Sequence, residues 1–189
     1  MSRPGRFSTV PDRFVGLDRQ VDRWWDHLRG NAVIDRVFYT ASEVGDFGLV
    51  WLAVGATEAA IAPARHLRGF VRLAGVLAVE SVLVNVGLKS LFRRERPVWE
   101  QNRPHRLRKP RTTSFPSGHA SSAVTAALLL TEGSTPRAPL YWIMAGVVAT
   151  SRIHVKIHHA SDVAVGLVVG AALGTVVRRA FPLTKGADV

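Results

Sequence analysis

Hydrophobic and polar positions along the chain fall into two textures that meet near Asp46. Before it, arginine and aspartate are mixed through residues 1–45. Within 14–28, Phe14, Leu17, Val21, Trp24, Trp25 and Leu28 recur at helical spacing, and Arg and Asp fill the other face. This predicts an amphipathic helix with aromatics at one edge, suited to lying in a membrane interface. A surface helix of a soluble bundle is the alternative. No apolar h-region precedes it, so no signal peptide is expected.

After Asp46 come five apolar runs, 47–62, 73–88, 118–131, 138–151 and 163–177, in which Glu58 and Glu80 are the charged exceptions. Each run has 14–16 residues. That is short of the ~20 needed to cross a hydrocarbon layer of ~30 Å. Flanking residues and bundling relieve the mismatch. The last run is apolar on every side, and Gly166, Gly170 and Gly174 repeat along it at every fourth position. Such a stripe lets helices approach closely in lipid. In water each glycine would cost a helix ~1 kcal/mol. The pattern therefore predicts an all-α protein, an integral membrane helical bundle of about five transmembrane helices plus an N-terminal amphipathic interfacial helix. The expected divisions are an interfacial segment 1–45, a bundle 46–182 with an active-site loop at 93–117, and a flexible tail 183–189. There is no internal repeat and no low-complexity tract.

Composition narrows the function. The 189 residues carry 25 Lys and Arg against 14 Asp and Glu, a net charge of +11, and 47% are apolar. Disorder is excluded by the amount of apolar material. Cysteine is absent, which removes disulfide scaffolds, thiolate metal sites and cysteine nucleophiles. The positive charge concentrates in the connections, above all in 93–115, where Pro97, Pro104 and Pro110 oppose regular helix. Phospholipid head groups are the expected partners of that loop as a whole. Nucleic acid is not expected, because the loop lies between apolar runs and has few aromatics for stacking.

Three local patterns at the ends of the runs carry chemistry. Lys89 and Arg96 close the second run, seven residues apart, nearly two helical turns, so both cations can face one way. Pro116-Ser117-Gly118-His119 opens the third run, and the free N–H groups of such a turn point at an anion. Ser151-Arg152 ends the fourth, and His158 and Asp162 open the fifth at i, i+4 spacing. A carboxylate there can hold one imidazole nitrogen and leave the other free. Three cations, an anion-binding helix start, two histidines and an orienting carboxylate are what phosphate-ester cleavage needs without a metal. One histidine must attack phosphorus and the other must protonate the leaving alkoxide. The carboxylate-oriented His158 is the better nucleophile, which leaves His119 as the acid and then the base for water. A metal site at His154, His158 and Asp162 is the lesser alternative, since Arg152 and Lys156 beside it would repel a cation. His27, His66 and His105 are read as structural or solvated.

These motifs resemble the membrane type 2 phosphatidic acid phosphatase family, whose site is related to that of the vanadium haloperoxidases. The family's first motif, Lys, six residues, Arg-Pro, matches Lys89 and Arg96-Pro97; the second, Pro-Ser-Gly-His, matches Pro116 to His119. The third, Ser-Arg, five residues, His, three residues, Asp, matches Ser151-Arg152, His158 and Asp162, so all eleven positions agree in order. The resemblance covers about 73–178 and implies that Lys89, Arg96, Ser117, Gly118 and Arg152 bind the phosphoryl group. It implies a phosphohistidine on His158, oriented by Asp162, with His119 serving the leaving group. It also implies no metal and no cofactor, and a lipid-phosphate substrate. A haloperoxidase using bound vanadate and a non-enzymatic lipid-binding protein are the competing classes.

Members of that family typically have six spans and an outward-facing site; here five are expected, so the N-terminus and the site fall on one side. Positive residues number 18 on that side and 7 on the other. Positive residues favour the cytoplasm, so a multi-pass plasma-membrane protein with a cytoplasmic site is expected. An inward site favours an intermediate of the inner leaflet. The Arg-, Ala- and Val-rich composition resembles high-GC actinobacteria. The sharpest expectation is decaprenylphosphoryl-5-phosphoribose, used for cell-wall arabinan. Phosphatidylglycerophosphate, phosphatidate and prenyl diphosphates are the alternatives. Oligomeric state and the roles of Glu80 and Asn85 stay open at this level.

Overall fold

The structure, a computed structural model, describes residues 12–98, 103–110, 112–132 and 135–183. Parts of the expected active-site loop, 99–102 and 111, and the expected tail from 184 lie outside the described residues. Seven α-helices account for the fold: α1 (Asp12–Asp26), α2 (Ala32–Val44), α3 (Leu49–Ile61), α4 (Pro63–Val82), α5 (Gly118–Leu130), α6 (Ala138–His154) and α7 (Ala160–Ala180). Helix α4 runs on through a π-helical stretch, Leu83–Leu88, into a last turn, Lys89–Leu91.

The polar segment before Asp46 holds two helices where the sequence pattern showed one. Asn31 starts α2 by accepting from the backbone N–H groups of Val33 and Ile34 at 3.0 and 3.2 Å, so two otherwise orphaned donors are satisfied. Helix α2 packs on α6 and buries Asp35, Tyr39, Ala41 and Ser42. It ends at a break where Phe47 and Gly48 take left-handed φ values of 57° and 70°. Glycine enters that region freely; phenylalanine does so at a steric cost, which the surrounding packing must hold.

Helix α5 is the centre of the bundle, in contact with α4, α6 and α7. Nine of its residues are buried, including Ala120, Ala123, Ala126 and Ala127. Small side chains there let α7 come close: Gly166, Gly170 and Gly174 are all buried, and the Thr125 hydroxyl donates to the Gly170 carbonyl at 3.1 Å. The glycine stripe is thus spent within one chain.

Among the described residues two helices are long and apolar enough to cross a membrane, His66–Leu91 and Ala160–Ala180, and the pair Ala32–Val44 and Asp46–Ile61, bent by 66°, would make a third. Their apolar surface faces outward: only 22% of the most apolar window of His66–Leu91 is buried, and Val71, Val79, Val82, Val86, Val168 and Val176 are exposed. Such surfaces suit lipid. The five expected spans thus reduce to two or three by length and apolarity. Helices α5 and α6 have 13 and 17 residues. The apolarity of α5 belongs to a helix wrapped by its neighbours.

Candidate active site

Ser117 caps α5 by accepting from the Ala120 N–H at 3.4 Å, and its own N–H donates to the Asp162 carbonyl at 3.0 Å. The starts of α5 and α7 are therefore joined by backbone. A Cβ on Gly118 would stand 3.4 Å from Oδ1 of Asn85, so this glycine brings the extension of α4 against the start of α5. Asn85 in turn accepts from Nζ of Lys89 at 2.8 Å. The role left open for Asn85 is thereby filled: it fixes Lys89. Glu80 is buried beneath it in the same helix.

His158 is brought back over Arg152 by a tight turn. The N–H groups of Ile157 and His158 both donate to the Arg152 carbonyl at 3.1 Å, and Lys156 takes a positive φ of 49° to close it. Asp162 completes the capping box of α7 by accepting from the His159 N–H at 2.8 Å. The Ser114 hydroxyl and the Arg94 guanidinium also donate to its carboxylate. Its Oδ2 lies 3.6 Å from Nδ1 of His158, which is buried and has no other partner. Unliganded catalytic contacts are often this loose. On the other edge of the ring, Nη1 of Arg96 lies 3.3 Å from Nε2. A guanidinium can only donate. Nε2 therefore presents a lone pair, and the ring proton sits on Nδ1, facing Asp162. Burial holds the pKa of His158 well below the usual imidazole value, with Arg96 and Arg152 adding to this and Asp162 opposing it.

Arg96 reaches the site differently from the helical expectation. The helix ends at Leu91 and the chain is extended from Phe92, so Lys89 and Arg96 do not share a helix face. Pro97 acts on a chain already out of helix. The Arg96 guanidinium is instead held by the carbonyls of Thr112, Thr113 and Ile157 at 3.0, 2.9 and 2.9 Å. Arg152 is buried and donates to the hydroxyl and carbonyl of Ser42. Its Nε is buried without a partner. Lys89, Arg96 and Arg152 stand in one another's fields, a gathering of cations that an oxyanion would relieve.

Nε2 of His119 lies 3.0 Å from the Ser42 carbonyl and 3.2 Å from Oδ1 of Asp46. Both partners are acceptors, so this nitrogen carries a proton. The two motif histidines thus present opposite chemistry at Nε2, a proton on His119 and a lone pair on His158.

Five polar residues at this end of the bundle escaped the sequence reading: Asp18, Ser42, Asp46, Arg94 and Ser114. Asp18 carried a signal. It lies four residues after Phe14 and three before Val21, a carboxylate inside the apolar stripe of α1. Arg94 was hidden among the other basic residues of its loop. His154 does not join His158 and Asp162 in a metal-binding cluster. Its Nδ1 accepts from the Trp25 indole at 3.0 Å and its Nε2 donates to Asp35 at 2.8 Å. Among the described residues no three metal-ligand side chains gather.

The PAP2 superfamily model matches residues 69–185. Decaprenylphosphoryl-5-phosphoribose phosphatase of Mycobacterium tuberculosis is 34% identical over 152 residues, 78% of this chain and 83% of that protein. The protein of the same name from Mycolicibacterium smegmatis is 32% identical over 125 residues, 66% of this chain and 67% of that one. Among solved structures, Aquifex aeolicus LpxE superposes with a TM-score of 0.70 at 24% identity, covering 86% of this chain and 95% of that one. The transmembrane PAP2 type phosphatidylglycerolphosphate phosphatase of Bacillus subtilis gives 0.69 at 20% identity, over 89% and 86%. At such identities the structural likeness speaks for the fold. With the family model and the curated relatives beside it, this chain belongs to the PAP2 superfamily and is a membrane phosphatase, a phosphoric ester hydrolase.

Proposed function

We propose that the protein hydrolyses a polyprenyl-linked phosphomonoester through a phosphohistidine on His158, and that decaprenylphosphoryl-5-phosphoribose is its substrate. The observation that carries the mechanism is the opposite state of the two Nε2 atoms, a lone pair on His158 and a proton on His119. Lys89, Arg96 and Arg152, with the N–H groups at the start of α5, take the non-bridging phosphoryl oxygens. Nε2 of His158 attacks phosphorus while Nδ1–H turns to Asp162. The bond to the ester oxygen breaks, and imidazolium His119 gives that oxygen its Nε2 proton, so the alcohol leaves neutral. Burial and Arg152 hold the pKa of His119 down at about 4, against the pull of Asp46; the incoming phosphoryl charge offsets Arg152 and favours the imidazolium. Neutral His119 then takes a proton from water, whose oxygen attacks the phosphorus of the phosphohistidine. Phosphate leaves and both histidines return to their first state. No step calls for a metal.

The substrate assignment rests on the curated relatives, named for that activity at 34% and 32% identity. On the five-span arrangement expected from sequence, positive residues number 18 on the motif side against 7 on the other, which supports a site on the cytoplasmic face, where an inner-leaflet lipid is within reach.

The test is phosphate release by the purified protein in EDTA from decaprenylphosphoryl-5-phosphoribose, phosphatidylglycerophosphate, phosphatidate and undecaprenyl diphosphate. The expected result is preference for the first, block by vanadate, and complete loss in His158→Ala. Turnover by His158→Ala would overturn the mechanism; preference for another lipid would overturn the substrate. For orientation, a cysteine replacing Pro104 in this cysteine-free chain should resist an impermeant thiol reagent in intact cells. Labelling there would place the site outside.

A further inference from the structure

The N-terminal helix α1 reaches into the catalytic end of the bundle through one residue. Asp18 is only 5% exposed. Its Oδ1 accepts from the Ser161 backbone N–H and its Oδ2 from the Ser161 hydroxyl, both at 2.8 Å. Ser161 lies in the first turn of α7, immediately before Asp162, so Asp18 satisfies a helix-start donor from outside the helix. The Arg94 guanidinium sits between the two acids. One of its nitrogens donates to Asp18, the other to Asp162 and to the Ser161 hydroxyl at 2.8 Å. The result is a closed ring, Asp18–Ser161–Arg94, with Asp162 attached to it and His158 beyond Asp162.

From this ring we infer that Asp18 is a positioning residue for the reaction, acting on His158 through Arg94 and Asp162; the inference rests on the assignment of His158 as nucleophile. The charge balance gives the reason. One guanidinium shared by two carboxylates leaves Asp162 only partly neutralised, and it can still accept from Nδ1–H of His158 as that ring becomes positive. Without Asp18, Arg94 has Asp162 as its one carboxylate. It then draws the carboxylate by Oδ1 and turns Oδ2 away from a histidine that already stands 3.6 Å off. The acceptor becomes weaker as well as more distant, because an unshared cation lowers its proton affinity. The cations that hold phosphate are separate from this ring, so the loss falls on turnover and not on substrate affinity.

The outer side of α1 agrees with a helix that places its acid inward. Leu17 and Trp24 are 56% and 61% exposed, whereas Val21 and Trp25 pack against the bundle. Arg19, Gln20 and Arg23 are exposed beside Leu17 and Trp24, a mixed outer face that suits a membrane interface, while the Asp18 carboxylate turns inward.

The test is a double-mutant cycle on the full-length protein, reading kcat and KM for the lipid phosphate. Asp18→Asn should lower kcat by about tenfold with KM within about twofold, as a small misplacement of a reacting group does. In an Asp162→Asn background the same change should alter kcat by less than about twofold, because residues acting through one another are not additive. An unchanged kcat in Asp18→Asn overturns the inference. So does an equal fold-loss in both backgrounds, the result of a structural fault elsewhere. If Asp18→Asn does not accumulate in the membrane, Arg94→Lys takes its place in the cycle, keeping the charge but losing the fork that spans both acids; the same outcomes decide. His158→Ala is the control. Turnover by that variant defeats the nucleophile assignment, whereas a dead His158→Ala beside a fully active Asp18→Asn defeats the positioning role alone.

Discussion

Oδ1 of Asp46 stands 3.2 Å from Nε2 of His119 across the break between α2 and α3. Burial and Arg152 hold the pKa of His119 down, and Asp46 opposes them, favouring the charged imidazole that the proposed acid role needs. Asp46→Asn should therefore slow lipid-phosphate turnover by about tenfold, and His119→Ala by about a hundredfold or more. With p-nitrophenyl phosphate, whose leaving group needs little proton assistance, both losses should shrink. Steady-state kinetics on the two substrates checks this; equal losses on both would place His119 outside the acid role.

His158 links stability to pH. Burial first, and Arg96 and Arg152 after it, hold its folded pKa well below the usual value, against the pull of Asp162. The unfolded imidazole binds a proton near pH ~6.5 and the folded one does not. The stabilisation is then complete above that pH and is lost as pH falls through it, at up to about 1.4 kcal/mol per pH unit. Thermal unfolding in detergent between pH 7.5 and 5 should show a falling Tm that is shallower in His158→Gln.

The three glycines of α7 should differ in tolerance. A Cβ on Gly166 would land on the Ser117 carbonyl oxygen and one on Gly170 on the Ser121 carbonyl oxygen. Backbone cannot step aside locally, so either alanine should destabilise the bundle by about 1–3 kcal/mol. Gly166→Ala should also raise KM if Ser117 belongs to the turn proposed to hold the phosphoryl group. At Gly174 the obstacle is Cδ1 of Leu128 at 2.8 Å, the end of a flexible side chain, so Gly174→Ala should fold with a Tm close to that of the parent.

His154 should be structural. It lies between Trp25 and Asp35, stacked on Phe38 at 4.6 Å between ring centroids, and both ring nitrogens are used within the protein. His154→Ala leaves the indole N–H and the buried Asp35 short of a partner, a loss of about 1–3 kcal/mol. A lower Tm with kcat near the parent value is the expected result.

The motif residues were legible because each set is local. Ser117, Gly118 and His119 are adjacent, and Arg152, His158 and Asp162 lie along one helix–turn–helix, so spacing alone could relate them. What joins those sets was not legible. Asp18 meets Ser161 across 143 positions, and Ser42 meets Arg152 across 110. Such pairs follow from how helices pack, which periodicity does not encode. The placement of Arg96 was misread for a related reason. Seven-residue spacing fits a helix face, but the helix stops at Leu91 and three backbone carbonyls hold the guanidinium instead. Length and apolarity single out two or three spans among the described residues, while the remaining apolar runs could not be sorted from sequence, since a central helix and a lipid-facing one look alike there.

The Ser42 carbonyl accepts from Nε2 of His119 and from Nη1 of Arg152. In the proposed mechanism, grip on the phosphoryl group and delivery of a proton to the departing alcohol would both depend on this single peptide plane near the end of α2. Displacing α2 from α6 would therefore loosen both side chains together.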